Sequence, residues 1–183
     1  MSRIGKKEIE IPDNVKVDID GNNIVVEGPL GKLTKKTHFL INVRIEGGKI
    51  CVNRNNDSKL ARALHGLTRT LIANMVEGVS NGFSKTLIVY GIGYKTIMEG
   101  NRLNLQVGRS HPVYIDPPDG IKITVPEMNK IVVSGLDKEL VGEVAAKIRK
   151  WHPPEPYIRK PEPRKGIFYE GERVRLKVGK SGA

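Results

Sequence analysis

Along this chain, short runs rich in β-branched residues give way to a long stretch of helical periodicity, and the whole succession then occurs a second time. In the first half, Gly21-Asn22-Asn23-Ile24-Val25-Val26 is followed by Lys49-Ile50-Cys51-Val52 and then by Asp57-Ser58-Lys59-Leu60. In the second half, Gly100-Asn101-Arg102-Leu103-Asn104-Leu105 is followed by Lys130-Ile131-Val132-Val133 and then by Asp137-Lys138-Glu139-Leu140. The three pairs are offset by 79, 81 and 80 residues. Matches in one order at one spacing point to a single unit used twice.

Each unit reads the same way. Gly21-Asn22 and Gly100-Asn101 supply the positive φ of a tight turn, and the flanking runs predict hairpin strands. Asp57 and Asp137 stand where a side chain can cap a helix. The first helix is predicted from Asp57 to about Glu77, with Leu60, Leu64, Leu67, Leu71 and Met75 on the packed stripe. Lys59, Arg62, His65 and Arg69 fall roughly opposite, either as a solvated face or as a secondary RNA face. The second helix turns Leu140, Val141, Val144, Ile148 and Trp151 inward. It gathers Lys147, Arg149 and Lys150 at its C-terminal end, where cations suit the helix dipole, and Pro153-Pro154 stops it.

One amphipathic helix over one face of a mostly antiparallel sheet is an α+β unit. The expected architecture is therefore two tandem duplicated α+β domains, residues 1–82 and 83–152, joined near Asn81-Gly82. Residues 153–183 are rich in proline and cations, and are expected to form an extended basic tail ordered by a partner. On this reading, removing everything after His152 leaves every predicted strand and helix in place.

Charge adds a partner. Lys+Arg 31 against Asp+Glu 20 gives +11 and a pI near 9.8, which favours a polyanion. The excess is uneven, since residues 1–40 carry a net +1 and residues 147–183 a net +7. Cys51, the only cysteine, sits in a predicted strand and permits no internal disulfide. With four scattered histidines it offers no metal-ligand spacing. No run approaches the ~18–20 apolar residues of a membrane span, and nothing behind Met1-Ser2-Arg3-Ile4-Gly5-Lys6-Lys7 resembles a secretory signal, so an intracellular address is expected.

Candidate chemistry is thin. Gly91-Ile92-Gly93-Tyr94 lacks the third glycine and following helix of a nucleotide loop, and reads as a bend or close-packing pair. Gly28-Pro29-Leu30-Gly31 has strands on both sides and reads as a plain turn. Ser110-His111-Pro112 reads as a loop presenting polar groups, because adjacent side chains on extended backbone point apart. No catalytic group, metal site or cofactor is expected. The tail differs. In Pro154-Glu155-Pro156-Tyr157-Ile158-Arg159-Lys160 and Arg164-Lys165-Gly166-Ile167-Phe168-Tyr169, cations that suit phosphates alternate with rings that suit unstacked bases.

Several segments together resemble the bacterial-type large-subunit ribosomal protein six family along nearly the whole chain. They are Met1 to Lys7 with Ile11-Pro12, Glu27-Gly28-Pro29, Leu64-His65-Gly66-Leu67-Thr68-Arg69 and Asn74-Met75-Val76. They continue in Val89-Tyr90-Gly91-Ile92-Gly93-Tyr94, Ser110-His111-Pro112-Val113, Pro153-Pro154-Glu155-Pro156-Tyr157 and the stretch from Tyr169 to Lys177. The resemblance implies a non-enzymatic protein that binds 23S-type rRNA, chiefly through its second domain and tail. It also implies a place beside neighbouring large-subunit proteins at the stalk base, near the subunit interface and the sarcin–ricin loop where translation GTPases dock. A cytoplasmic ribosome is expected, with an organellar one left open.

The candidate RNA-contacting residues are Arg109, Ser110, His111, Lys147, Lys150, Tyr157, Arg159, Lys160, Arg164, Lys165, Gly166, Tyr169, Arg173, Arg175, Lys177 and Lys180, with Lys59, Arg62 and Arg69 as the secondary face. Two departures from the family pattern stand out. Gly108-Arg109 replaces a glycine-aromatic pair, which adds a cation able to meet a phosphate. Between Tyr157 and Lys165-Gly166-Ile167 five residues are extra, and Pro161-Glu162-Pro163 repeats Pro154-Glu155-Pro156, so either could take the family's position.

Overall fold

The fold is described from a computed structural model, for residues 3–157, 165–175 and 177. The chain divides into two compact units. The first holds the described residues up to Gly82, with Leu136–Lys138; the second holds Phe83–Gly135 and the described residues from Glu139 onward.

The first unit contains β1 (Ile9–Glu10), β2 (Lys16–Asp20), β3 (Asn23–Gly28), β4 (Gly31–Lys36), β5 (Ile41–Glu46), β6 (Lys49–Arg54) and α1 (Lys59–Asn81). The strands form two antiparallel sheets, β2-β3-β4 and β1-β6-β5. The β2–β3 hairpin closes at Asp20 and Asn23 around Gly21, whose φ of 56° is the conformation the Gly-Asn signal implied. The Gly28-Pro29-Leu30-Gly31 segment is the turn that joins β3 to β4. Alternation along β3 and β6 buries Ile24, Val26, Ile50 and Val52, which join Ile72, Met75, Val76 and Val79 of α1 in one core.

The second unit contains β7 (Phe83–Tyr90), β8 (Lys95–Glu99), β9 (Arg102–Gln106), β10 (Val113–Ile115), β11 (Ile121–Glu127), β12 (Lys130–Gly135), α2 (Lys138–Lys150) and β13 (Gly166–Tyr169). Its sheets are β8-β9-β10 and β11-β12-β7-β13, again antiparallel throughout. Strand for strand, β7 to β12 and α2 repeat the order and pairing of β1 to β6 and α1. The hairpin around Gly100, with φ 61°, corresponds to that around Gly21. The α+β duplication therefore stands, with each unit's strands split between two sheets. The second core gathers Leu87, Leu103, Leu105, Ile131, Val133 and Ile148.

Three expectations need correction. Helix α1 starts two residues later than predicted, because Ser58 provides the cap: its hydroxyl accepts the Ala61 N–H at 3.1 Å. Asp57 instead pairs with Arg54 at 2.5 Å, and this guanidinium holds the carboxyl below its ordinary pKa.

Second, the packed stripe of α1 is rotated by about one residue. Ala61, His65, Thr68, Ile72 and Met75 are buried, whereas Leu60 is 56% and Leu67 53% exposed. The helix approaches its surroundings closely at this end. A Cβ on Gly5 would overlap the His65 ring, so the N-terminal segment passes this face of the helix on a residue with no side chain. His65 belongs to the core, its Nε2 bonded to the Val52 carbonyl at 2.8 Å, which requires the proton on Nε2. That leaves Nδ1 of a neutral ring to accept from Arg54 Nη1 at 3.3 Å. Gly5→Ala is accordingly expected to cost about 1–3 kcal/mol by overpacking. Urea denaturation of the full chain measures it, and a double-mutant cycle with His65→Ala should be non-additive because the two groups touch.

Third, the segment after His152 does not lie wholly outside the fold. β13 adds a fourth strand to the free edge of β7, pairing Ile167 with Val89 and Tyr169 with Leu87. Ile167 is fully buried and Phe168 nearly so. β7 offers an edge of eight residues where its counterpart β1 has two. Gly166 abuts Pro154 so closely that no Cβ would fit, which sets the packing of the strand's first residue. After β13 the Glu172 carboxylate accepts the Tyr169 N–H at 3.0 Å and Arg149 Nη2 at 2.6 Å, which fixes the turn.

Candidate nucleic-acid interface

The predicted cations of the second unit divide by what they touch. Arg109, Lys147, Lys150, Arg173, Arg175 and Lys177 are exposed. Lys147 makes a surface pair with Glu143 at 2.8 Å, an i,i+4 interaction of small worth. By contrast Arg149, at the same end of α2, is committed to Glu172 and lies 5.5 Å from the Tyr169 ring centre. That ring also packs on the core, so Tyr169 is a structural residue before it is a stacking one. Gly166, another predicted contact, is buried in β13. Arg159, Lys160, Arg164 and Lys180, with Pro161-Glu162-Pro163, lie outside the described residues.

Tyr157 is 49% exposed. Its backbone forms a parallel bridge with Lys177, whose N–H donates to the Pro156 carbonyl at 2.8 Å. A ring suited to a base and a cation suited to a phosphate are thus held side by side, twenty residues apart in sequence.

Arg109 organises the other end of the surface. Its Nη2 donates to the Trp151 carbonyl at 2.9 Å, tying the loop before β10 to the end of α2. One shallow cleft of about 570 Å³ opens between Arg109-Ser110-His111 and Trp151, with Tyr114 in its wall. A second, of about 330 Å³, is lined by Arg109, His152, Pro153, Pro154, Glu155, Pro156 and Lys165, so one carboxylate stands among its cations. His152 is oriented within it by a 2.9 Å hydrogen bond between its Nε2 and the Tyr94 hydroxyl. Tyr94 in turn packs against Gly91 and Gly108, so the Gly91-Ile92-Gly93 turn is a close-packing device rather than a nucleotide loop.

Sequence reasoning missed Trp151. Helical spacing assigns it to the core, yet α2 ends at Lys150 and Trp151 is 43% exposed. No local signal separates the two outcomes; the tie to Arg109 spans 42 residues.

The secondary face is weaker. Lys59 and Arg62 are exposed, but Arg69 donates to the Lys7 and Glu8 carbonyls at 3.0 and 3.2 Å and so clamps the N-terminal segment. A cleft of about 680 Å³ also lies in this unit, lined by Lys6, Lys7 and Arg54 together with Glu8, Glu46 and Asp57. Equal numbers of cations and carboxylates make it a poor seat for a polyanion. Among the described residues no three His, Cys, Asp or Glu are grouped to hold a metal, and no helix is long and apolar enough to cross a membrane.

Comparison with known proteins covers the chain end to end. The family model described as Ribosomal protein L6 matches residues 11–82 and again 90–160, one stretch in each repeat. The large ribosomal subunit protein uL6 of Desulfitobacterium hafniense is 57% identical over 183 residues, covering 100% of this chain and 97% of the relative. That of Hydrogenobaculum is 54% identical over 181 residues, covering 99% and 97%. That of Moorella thermoacetica is 52% identical over 183 residues, covering 100% and 97%.

Proposed function

The chain belongs to the ribosomal protein L6 family, and on that premise we propose that it is a non-enzymatic structural constituent of the large ribosomal subunit that binds 23S-type rRNA. The observation that carries the reading is the full-length likeness to relatives named as large-subunit proteins. The exposed cations of the second unit, with Arg109 and Lys165 lining its clefts, support this surface as the one that meets the RNA. In this reading residues 1–82 form one repeat, residues 83–152 form the second only with β13 added to its sheet, and residues 153–183 supply RNA contacts as well as that strand. The protein sits among neighbouring large-subunit proteins at the stalk base of a cytoplasmic ribosome, by the subunit interface and the sarcin–ricin loop. Translation GTPases pass close to it there.

The test is co-sedimentation. A tagged chain expressed in cells should travel with large subunits through a high-salt cushion and be released by ribonuclease. A free RNA-binding regulator would wash off in salt. A protein–protein adaptor would stay bound after ribonuclease, and either result would reject the proposal.

A further inference from the structure

We infer that the cleft between the Arg109 loop and Trp151 receives a single unstacked base of the bound RNA. The inference rests on the RNA-binding reading above and names what this part of the surface recognises. Two large aromatic side chains, Trp151 at 43% and Tyr114 at 50% exposure, border one cleft. Isolated exposed aromatics are ordinary on a surface, but two of them around a concave site beside a cation are a platform for a flat ring. Ser110 and His111, both exposed in the same lining, offer hydroxyl and imidazole groups to a base edge.

The site is held in shape before RNA arrives. The 2.9 Å bond from Arg109 Nη2 to the Trp151 carbonyl fixes one wall to the other, so little ordering cost remains for binding. A guanidinium has five N–H donors, and Arg109 gives one to this bond. The same residue lines the proline-walled cleft that leads to Lys165. A strand crossing Arg109 would place a base against the indole, its phosphate on the guanidinium, and the next sugar over Pro153 and Pro154. A duplex presents no free ring face to such a cleft, so the occupant is a nucleotide in a loop or bulge.

Trp151 is the chain's only tryptophan, so its emission reports the site directly. The full-length protein is titrated with transcribed 23S-type rRNA and, separately, with heparin, a polyanion without bases. Affinity is read in parallel by filter binding. The inference predicts that rRNA quenches the emission as it binds and that heparin binds without comparable quenching. Trp151→Ala should weaken rRNA binding about 5- to 150-fold with an unchanged salt slope, and Trp151→Phe should recover part of the affinity. Emission unchanged on rRNA binding, or quenched equally by heparin, overturns the inference while leaving RNA binding intact. Absence of any rRNA binding by the unaltered protein overturns the RNA-binding reading and the inference together. The emission measurement uses the unaltered chain, so it decides the matter even if Trp151→Ala fails to fold.

Discussion

Replacing Ile167 by alanine should destabilise the second unit by about 2–5 kcal/mol, the usual result of deleting a fully buried branched side chain. The residue lies in a stretch whose composition suggests a solvated tail, yet its side chain is part of the core formed by Leu87, Leu103, Ile131 and Ile148. For a unit of this size each kcal/mol moves the melting temperature by roughly 4–8 °C, so a drop of about 10 °C or more is expected in thermal denaturation of the full chain. Truncation after His152 should be worse. It removes Ile167 and Phe168 together and strips β13 from β7, leaving an unpaired edge beside an opened core. It also leaves Arg149 without its Glu172 partner. If Ile167→Ala costs less than about 1 kcal/mol, β13 is only loosely attached, and the tail is the appendage that its composition suggests.

How far the sequence discloses this fold depends on whether the deciding interaction is local. The two Gly-Asn hairpins, the Lys-Ile starts of β6 and β12, and the existence of both helices follow from nearest neighbours, and the spacing near 80 residues exposes the duplication. The face of α1 does not follow. Leu60-Leu64-Leu67-Leu71 and Ala61-His65-Thr68-Ile72 both satisfy a helical period and differ by one residue. What selects the second is a histidine bonded to a carbonyl on β6 and a glycine against its ring, neither visible as periodicity. The strand Gly166–Tyr169 is hidden for a similar reason, since its pairing partner β7 lies far earlier in the chain. In the candidate site the cations were legible as charge, and Tyr157 as a ring among them. Their spatial sorting was not: Arg149 goes to Glu172, Arg69 to the N-terminal backbone, and Trp151 to an exposed cleft.

Neutralising the six exposed cations predicted to meet RNA in the second unit should have the largest effect on function. Arg109, Lys147, Lys150, Arg173, Arg175 and Lys177 all face solvent, so their joint replacement by glutamine should leave the core intact, as circular dichroism would verify, while losing the Arg109 tie to the Trp151 carbonyl. Each phosphate deprived of its cation flattens the slope of log affinity against log salt by roughly 0.7–0.9. Removing all six cations should make the slope shallower by about four to five, with a large fall in affinity at low salt. The same salt titration applied to Lys59→Gln with Arg62→Gln should give the slope of the unaltered protein. This pair of titrations against 23S-type rRNA tests the central claim, that the second unit is the RNA-binding surface, more directly than any other measurement. The account predicts a much flattened slope for the six-fold variant and an unchanged one for the α1 pair. An unchanged slope for the six-fold variant, with flattening when Lys59 and Arg62 are replaced, would contradict it and move the interface to the first unit.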